Sequence, residues 1–298
     1  LDPGNWTVLE TGRPATSLPD ADTDVIVPAA DKPYEVNWRF AGHGHTGWAA
    51  PLEARHVTVG ANAHFMIVDA KVRGNVWVQH GGHFNIDVTL FLIGSDHTFY
   101  RNDNPGGSPS AVGSNDSTYL CQYLMMNKDA PGASTEFLGM FHSGDEFQIA
   151  QGTLIIAPDS VVEMGREGSP WIGPDGSIVL LDNAYLGKWT IDLHCCDMQV
   201  RGGTVQGGLP DRPLTRHAIF RISHKNHTAA RDAPPEMAER HLERVAGMVI
   251  QEGSTLRSYS TDIAEARLVI TQLPRDYPIT FLRPRPGTEE YAEAAADP

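Results

Sequence analysis

Cysteine, lysine and long apolar segments are all scarce in this chain of 298 residues. The three cysteines, Cys121, Cys195 and Cys196, are too few for a disulfide framework, and the adjacent pair is expected to be two small buried apolar residues. Most of the 23 basic residues are arginine and the formal net charge is -14, which argues against nucleic acid as a partner. No run of 18 apolar residues occurs, so no membrane span is predicted.

Several catalytic motifs are absent as well. The chain has no G-x-S-x-G nucleophile elbow, no phosphate-binding P-loop and no dinucleotide-binding glycine motif in a strand–helix context. Serine hydrolase and nucleotide chemistry therefore have no support in the sequence.

An internal repeat is the most informative feature that is present. The pattern V-x-V-x4-H-F-x-I begins at Val57 and again 19 residues later at Val76. Its alternation has the period of a β-strand, and a repeat of about 20 residues is typical of a solenoid. The sequence therefore predicts an all-β parallel β-solenoid in which Phe65 stacks on Phe84. A cupin-type double-stranded β-helix or a β-sandwich is the alternative fold.

Short apolar strands continue along the chain and suggest a single solenoid domain over residues 1–283. Strands are predicted near residues 153, 177, 198, 218, 248 and 267, at spacings of 19 to 30 residues. Residues 1–55 form an entry region, 94–118 a loop insertion and 231–245 a helical insertion. Residues 284–298 are predicted to be a mobile or weakly helical acidic tail.

Part of the first 90 residues resembles the G8 domain, a β-module of extracellular proteins. The matching elements are Trp6, the segment from Leu18 to Pro28, Val57–Gly60 and Gly74–Val78. The family pattern has more glycines, and a Gly-Asp pair where Ala21 and Asp22 stand. The rest of the chain resembles the right-handed β-helix of polysaccharide lyases and hydrolases. These resemblances imply a carbohydrate-active enzyme that is extracellular or periplasmic, with a polysaccharide as its partner.

The richest polar cluster flanks the predicted loop. Its candidate catalytic residues are Asp96, His97, Tyr100, Arg101, His142, Asp145 and Glu146. Elimination from a uronate requires a proton acceptor and a cation that neutralises the carboxylate, whereas hydrolysis requires two carboxyl groups at a set distance. The cluster contains residues for both reactions, so the sequence leaves the choice open.

Two other groups of residues are candidate binding sites. The most basic stretch of the chain holds the candidate sugar-binding residues Arg216, Arg221, His224, Lys225 and His227. In a glycine-rich loop, His43 and His45 have the i, i+2 spacing that can chelate a divalent metal ion, the one cofactor that the sequence suggests. His64 and His83 recur at one repeat position and are expected to point outward. A non-catalytic carbohydrate-binding solenoid and a metal-dependent enzyme are the alternative functions.

Overall fold

The computed structural model describes residues 3–38, 51–105, 117–164, 171–190, 198–224, 248–262, 265–270, 280–283 and 292–293. Within these residues the chain is all-β, apart from one short 3-10 helix at Pro3–Asn5. Two short strands, β1 (Thr7–Val8) and β2 (Arg13–Pro14), form a separate antiparallel pair. All the other strands belong to one large sheet.

The strands of that sheet are mostly short, as expected for β-branched and aromatic segments separated by glycine and asparagine turns. The first half of the sheet contains β3 (Val25–Val27), β4 (Tyr34–Trp38), β5 (Leu52–Ala54), β6 (Val57–Val59), β7 (Ala63–Val72), β8 (Val76–Val78), β9 (His83–Leu92), β10 (His97–Asn102), β11 (Tyr119–Asn127), β12 (Ser134–Leu138) and β13 (Met140–Ile156). The second half contains β14 (Val161–Met164), β15 (Trp171–Leu180), β16 (Tyr185–Thr190), β17 (Met198–Val200), β18 (Thr204–Gly207), β19 (Ala218–His224), β20 (Met248–Ile250), β21 (Thr255–Tyr259), β22 (Leu268–Ile270), β23 (Thr280–Arg283) and β24 (Ala292–Glu293).

Pairing within the sheet is parallel except between β23 and β24. The separation in sequence between parallel partners varies from that of Leu52 and Ala70 to that of Thr204 and Thr255. The strands β3, β6, β8, β10 and β12 form one continuous series. The prediction of an all-β protein with parallel strands is confirmed. Parallel pairing disagrees with the alternative folds, the β-sandwich and the cupin, whose strands pair antiparallel.

The repeat aligns as the sequence predicted. Val57 is paired with Val76 and Phe65 with Phe84, in the register that brings equivalent residues of the two repeats side by side. The two phenylalanine rings are stacked with centroids 5.4 Å apart and an angle of 12° between their planes. Both lie in one hydrophobic core that extends from Val25 to Leu268. The ladder of inward side chains therefore supplies the packing that holds successive repeats together.

Two predictions of irregular structure were wrong. Residues 94–118 were expected to be a loop, but His97–Asn102 form β10, which pairs with β8 and β12. The sequence did not show the alternation of apolar and polar residues that marks a strand, because two of the three buried residues of β10, Thr98 and Asn102, are polar. In the predicted tail, Ala292–Glu293 form β24. The predicted helical insertion at 231–245 lies outside the described residues.

Candidate functional site

The outward side of β10 carries chemistry-bearing side chains at alternate positions. His97, Phe99 and Arg101 are exposed, while Thr98, Tyr100 and Asn102 between them are buried. This alternation follows from the two-residue period of a strand, which sends successive side chains to opposite faces of the sheet. We call the outward side of β3, β6, β8, β10 and β12 the open face.

Two aromatic rings lie on the open face. Trp77 is paired with Arg101 across β8 and β10, and the Arg101 guanidinium lies 5.6 Å from the centroid of the indole ring. Asp103 accepts hydrogen bonds from Trp77 Nε1 at 2.7 Å and from Arg101 Nε at 2.6 Å. Phe99, the second ring, is 36% exposed. Aromatic rings beside fixed hydrogen-bonding groups can contact the apolar and polar parts of a sugar together.

Beside the rings is an imidazole whose orientation is set by its neighbours. His97 Nδ1 lies 2.5 Å from Ser134 Oγ, and Nε2 lies 3.7 Å from a carboxylate oxygen of Glu136. The side chain of His97 is 58% exposed, whereas that of Glu136 is 12% exposed. Arg212 donates two hydrogen bonds to the same carboxylate, at 3.0 and 3.2 Å. The arrangement therefore places an accessible proton acceptor next to a carboxylate that an arginine holds in position.

Arg212 belongs to a loop that crosses the outward side of the sheet. We call residues 208–216 the strap. It begins after β18, and Leu209 packs against the outward side chains Ile155, Val179 and Leu181. Farther along the strap, Asp182 accepts hydrogen bonds from the backbone N–H groups of Thr215 and Arg216. The strap is thus fastened to the sheet at several separate points.

A second hydrogen-bonded series involves the predicted residue His142. Its Nδ1 lies 2.7 Å from Thr118 Oγ1 and its Nε2 lies 2.9 Å from Glu163 Oε2. Because a carboxylate can only accept, Nε2 carries the proton, and in a neutral ring Nδ1 then accepts from the threonine hydroxyl. The side chains of His142 and Glu163 are each only 12% exposed, and Thr118 is buried. This series is therefore less accessible to a large substrate than His97.

The structure separates the members of the predicted catalytic cluster. Asp96 is exposed just before β10, next to His97 in sequence. Tyr100, between His97 and Arg101 in sequence, points to the core, where burial raises the pKa of its phenol well above the ordinary value. His142 has its own partners on β11 and β14. Asp145 and Glu146 lie on β13, and their side chains are outside the described part of the structure.

Few of the predicted binding residues fall within the described part of the chain. The guanidinium of Arg216 lies 3.7 Å from the carboxylate of Asp159. Arg221 and His224 are placed only by the backbone of β19, where they are paired with Gly187 and Thr190. The remaining candidates, Lys225, His227, His43 and His45, lie outside the described residues.

His64 and His83 form a ladder across β7 and β9. They are paired in register with ring centroids 5.0 Å apart. Both rings are half-buried and line a cavity of about 360 Å³ together with Pro33, Asn62, Ala63 and Gly81. In the residues that the structure describes, no group of three or more potential metal ligands comes together. A divalent cofactor therefore stays a prediction that rests on His43 and His45.

Sequence reasoning missed four residues of the open face: Trp77, Phe99, Glu136 and Arg212. Trp77 is the middle residue of the repeated V-x-V segment, so the alternation alone could have assigned it to the outside. Phe99 could have been recognised in the same way if β10 had been identified as a strand. The contact between Glu136 and Arg212 joins residues 76 positions apart and left no signal in the sequence.

Comparisons with known proteins do not identify a relative. No protein-family model matches the chain, and neither a curated protein nor a solved structure matches it. Among the described residues there is no helix with the length and apolar character needed to cross a membrane. The functional argument therefore depends on the geometry of the open face.

Proposed function

We propose that this chain is a secreted carbohydrate-active enzyme that cleaves a uronate-containing polysaccharide by β-elimination on the open face. The observation that carries the proposal is the exposed imidazole of His97 beside Glu136 and Arg212, on the same side of the sheet as Arg101 and the rings of Trp77 and Phe99. A proton acceptor, a cation and a sugar-stacking platform are the parts that this reaction requires.

The fold supports this proposal. Apart from the pair β23 and β24, the strands of the large sheet pair in parallel with strands farther along the chain, which is the pairing expected of a right-handed β-helix. Such a stack presents a long flat outer face on which a polymer can lie. The resemblance of the first 90 residues to the G8 module of extracellular proteins is a second, weaker support and agrees with secretion.

In the proposed reaction His97 acts as the base. Its Nε2 takes the proton on the carbon next to the uronate carboxyl group while Nδ1–H donates to Ser134 Oγ. The released electron pair forms a carbon–carbon double bond, the bond to the glycosidic oxygen breaks, and that oxygen takes a proton from water. The hydroxide that remains then takes the proton from His97 and restores the neutral imidazole. Glu136, 3.7 Å from Nε2, stabilises the imidazolium that forms. Arg212, which donates to the same Glu136 carboxylate, binds the carboxylate of the reacting uronate, and Arg101, about 13 Å from His97 along the strand, binds another uronate of the polymer.

Elimination agrees better with the open face than hydrolysis does. A hydrolase requires two carboxyl groups about 5 to 10 Å apart on either side of the bond. Glu136 is opposite Phe99 in the sheet, and Asp103 follows Phe99 by four residues. Their backbone positions are therefore separated by about 13 Å along the strand direction. Asp103 is also occupied by Trp77 and Arg101.

The test is a cleavage assay with His97→Gln. Wild-type protein is incubated with a panel of uronate-containing and neutral polysaccharides, and unsaturated uronates and reducing ends are measured separately. We expect both signals from a uronate polymer, and their loss by about 100-fold or more in His97→Gln. His80→Gln, which changes a histidine in the turn after β8, serves as the matched control and should keep full activity. Equal rates for His97→Gln and wild type would refute the assignment.

A non-catalytic carbohydrate-binding protein is the second candidate function. It is favoured by the pairing of Arg101 with Asp103 and of Arg212 with Glu136, since groups already paired can bind neutral hydroxyls without any reaction. In that case the same panel gives no product, while Trp77→Ala and Phe99→Ala lower affinity for a sugar polymer. Titration calorimetry with the uncleaved polymers measures this outcome.

A further inference from the structure

The open face continues in one direction along the sheet and is covered in the other. One outward row of side chains runs across successive strands in register and consists of Ile26, Thr58, Trp77 and Arg101. Ile26 and Trp77 in this row are exposed. A neighbouring row begins with the exposed ring of Phe99 and continues through Glu136 to Ile155 and Val179. Ile155 is only 5% exposed and Val179 only 3%. The row that begins with Phe99 thus changes from accessible to buried within two strands.

The strap causes this change. Leu209 covers Ile155 and Val179, and Arg212 ends on the carboxylate of Glu136. The turn of the strap is closed by reciprocal backbone hydrogen bonds between Leu209 and Arg212, at 2.8 and 3.1 Å. Its start is held by the bond from Gly208 N–H to the Leu180 carbonyl at 2.8 Å, and its end by Asp182. A segment fastened in this way acts as a wall beside Glu136.

From this wall we infer that the enzyme acts on the end of a polysaccharide chain and not within it. This inference rests on the proposed function. The chain end abuts the strap at Glu136 and Arg212, next to His97, and the rest of the polymer extends over Trp77, Thr58 and Ile26. The row from Arg101 to Ile26 covers about 14 Å, because neighbouring strands lie about 4.8 Å apart. Cleavage at a fixed distance from the wall releases short products of one length.

The products formed at early times test the inference. Wild-type protein is incubated with a long uronate polymer, and samples are analysed for unsaturated uronates, product length and viscosity. We expect one short unsaturated product from the first sample onward, with viscosity falling slowly. A mixture of many product lengths with an early collapse of viscosity would show that the enzyme cleaves within the polymer. That result would overturn this inference but leave the proposed elimination reaction intact. Absence of any unsaturated product would overturn the proposed function and this inference together.

Two substitutions on opposite sides of the strap test the direction in which the polymer extends. Ile26→Ala should raise KM for long oligosaccharides by about threefold or more, through loss of apolar contact, and leave the shortest cleavable substrate unaffected. Arg257→Ala is the matched control, because Arg257 follows Val179 and Gln206 in the covered row. Equal effects of the two changes, or an effect of Arg257→Ala alone, would contradict the direction. Arg212→Ala should lower the rate of cleavage and also loosen the wall, so that the products that still form have a broader range of lengths.

Discussion

At the scale of single residues, the buried amine of Lys128 is strongly perturbed. Lys128 is 2% exposed, and its Nζ donates hydrogen bonds to the carbonyl of Ile93 at 3.0 Å and to Thr98 Oγ1 at 3.1 Å. Burial lowers the pKa of Lys128 to about 8, although the nearby carboxylates of Asp129 and Asp96 act in the opposite direction. The charged form is therefore less favourable in the folded chain than in the unfolded one.

This pKa predicts a pH-dependent stability. Between the folded pKa of about 8 and the unfolded pKa of about 10.5, the unfolded chain binds more protons, so stability rises with pH through that window. We expect the difference in unfolding free energy between wild type and Lys128→Met to change by about 2–3 kcal/mol from pH 7 to pH 10, in favour of wild type. Urea unfolding at several pH values measures it. A difference that does not vary with pH would contradict the assignment.

The stacked phenylalanines provide a second prediction at this scale. Phe84 is buried against Phe65, so Phe84→Ala should leave a cavity and cost about 3–5 kcal/mol of unfolding free energy. Phe99→Ala removes the same ring from the exposed side of the sheet and should cost less than about 1 kcal/mol. Chemical unfolding of both variants makes the comparison. Similar losses for the two would mean that the inward and outward assignments are wrong.

At the scale of elements, several turns between strands contain a residue whose backbone has the left-handed conformation, with positive φ. Asn62, Asp159 and Asn183 have φ between 57° and 61°. Asparagine and aspartate tolerate this region better than other residues with a Cβ. Successive turns also contact each other, since Asn183 Nδ2 donates to Asp159 Oδ1 at 2.7 Å. The turns are thus stacked as the strands are.

A pair of substitutions at Asn183 separates backbone strain from the lost hydrogen bond. Both Asn183→Ala and Asn183→Gly remove the bond to Asp159, but only alanine is strained at φ 57°. We expect the alanine variant to be less stable than the glycine variant by about 1 kcal/mol. Thermal melts in the same buffer measure the difference. If the Asn183→Gly variant were less stable than the Asn183→Ala variant, the turn would not require the left-handed conformation.

At the scale of the whole molecule, charge is distributed unevenly. The chain carries a formal net charge of -14, yet residues 216–231 contain three arginines, three histidines and one lysine. An acidic chain that acts on an acidic polymer requires a local concentration of positive charge to hold it. That basic stretch remains a prediction. Two of its side chains are located: Arg216 lies beside the carboxylate of Asp159, and His217 Nδ1 accepts a hydrogen bond from the backbone N–H of Arg267 at 3.1 Å.

The prediction concerns salt. Affinity for an acidic polysaccharide should fall between low and moderate ionic strength, because exposed charges are screened beyond about 8 Å at 0.15 M. Arg221→Ala and Lys225→Ala should each weaken binding. Arg73→Ala, which removes an exposed arginine paired with Asp129, is the control and should not weaken binding. Titration calorimetry at two salt concentrations measures the affinity, and thermal melts of the same variants measure stability. Affinity that is insensitive to salt, with lowered melting temperatures, would assign the basic residues to stability alone.

Part of this protein could be predicted from its sequence. The repeat at Val57 and Val76 predicted parallel strands, the inward stacking of Phe65 on Phe84 and the strands from residue 153 onward, and the structure confirms them. These features could be predicted because the period of a strand is local and apolar residues mark the buried side. Of the predicted cluster, His97 and Arg101 are exposed on the same side of β10, four residues apart.

Other features were decided only by the tertiary structure. Tyr100 is close to His97 in sequence but faces the core, because alternate residues of a strand point to opposite sides of the sheet. The sequence did not reveal this, because Thr98 and Asn102 are polar although they are buried. The wall at Glu136 depends on Arg212, which reaches it from a loop 76 residues away. Contacts of this kind depend on which strands lie side by side and on where a loop folds back over them. Neither property is encoded in the local pattern of residues, so the accessible end of the open face could be recognised only in the folded chain.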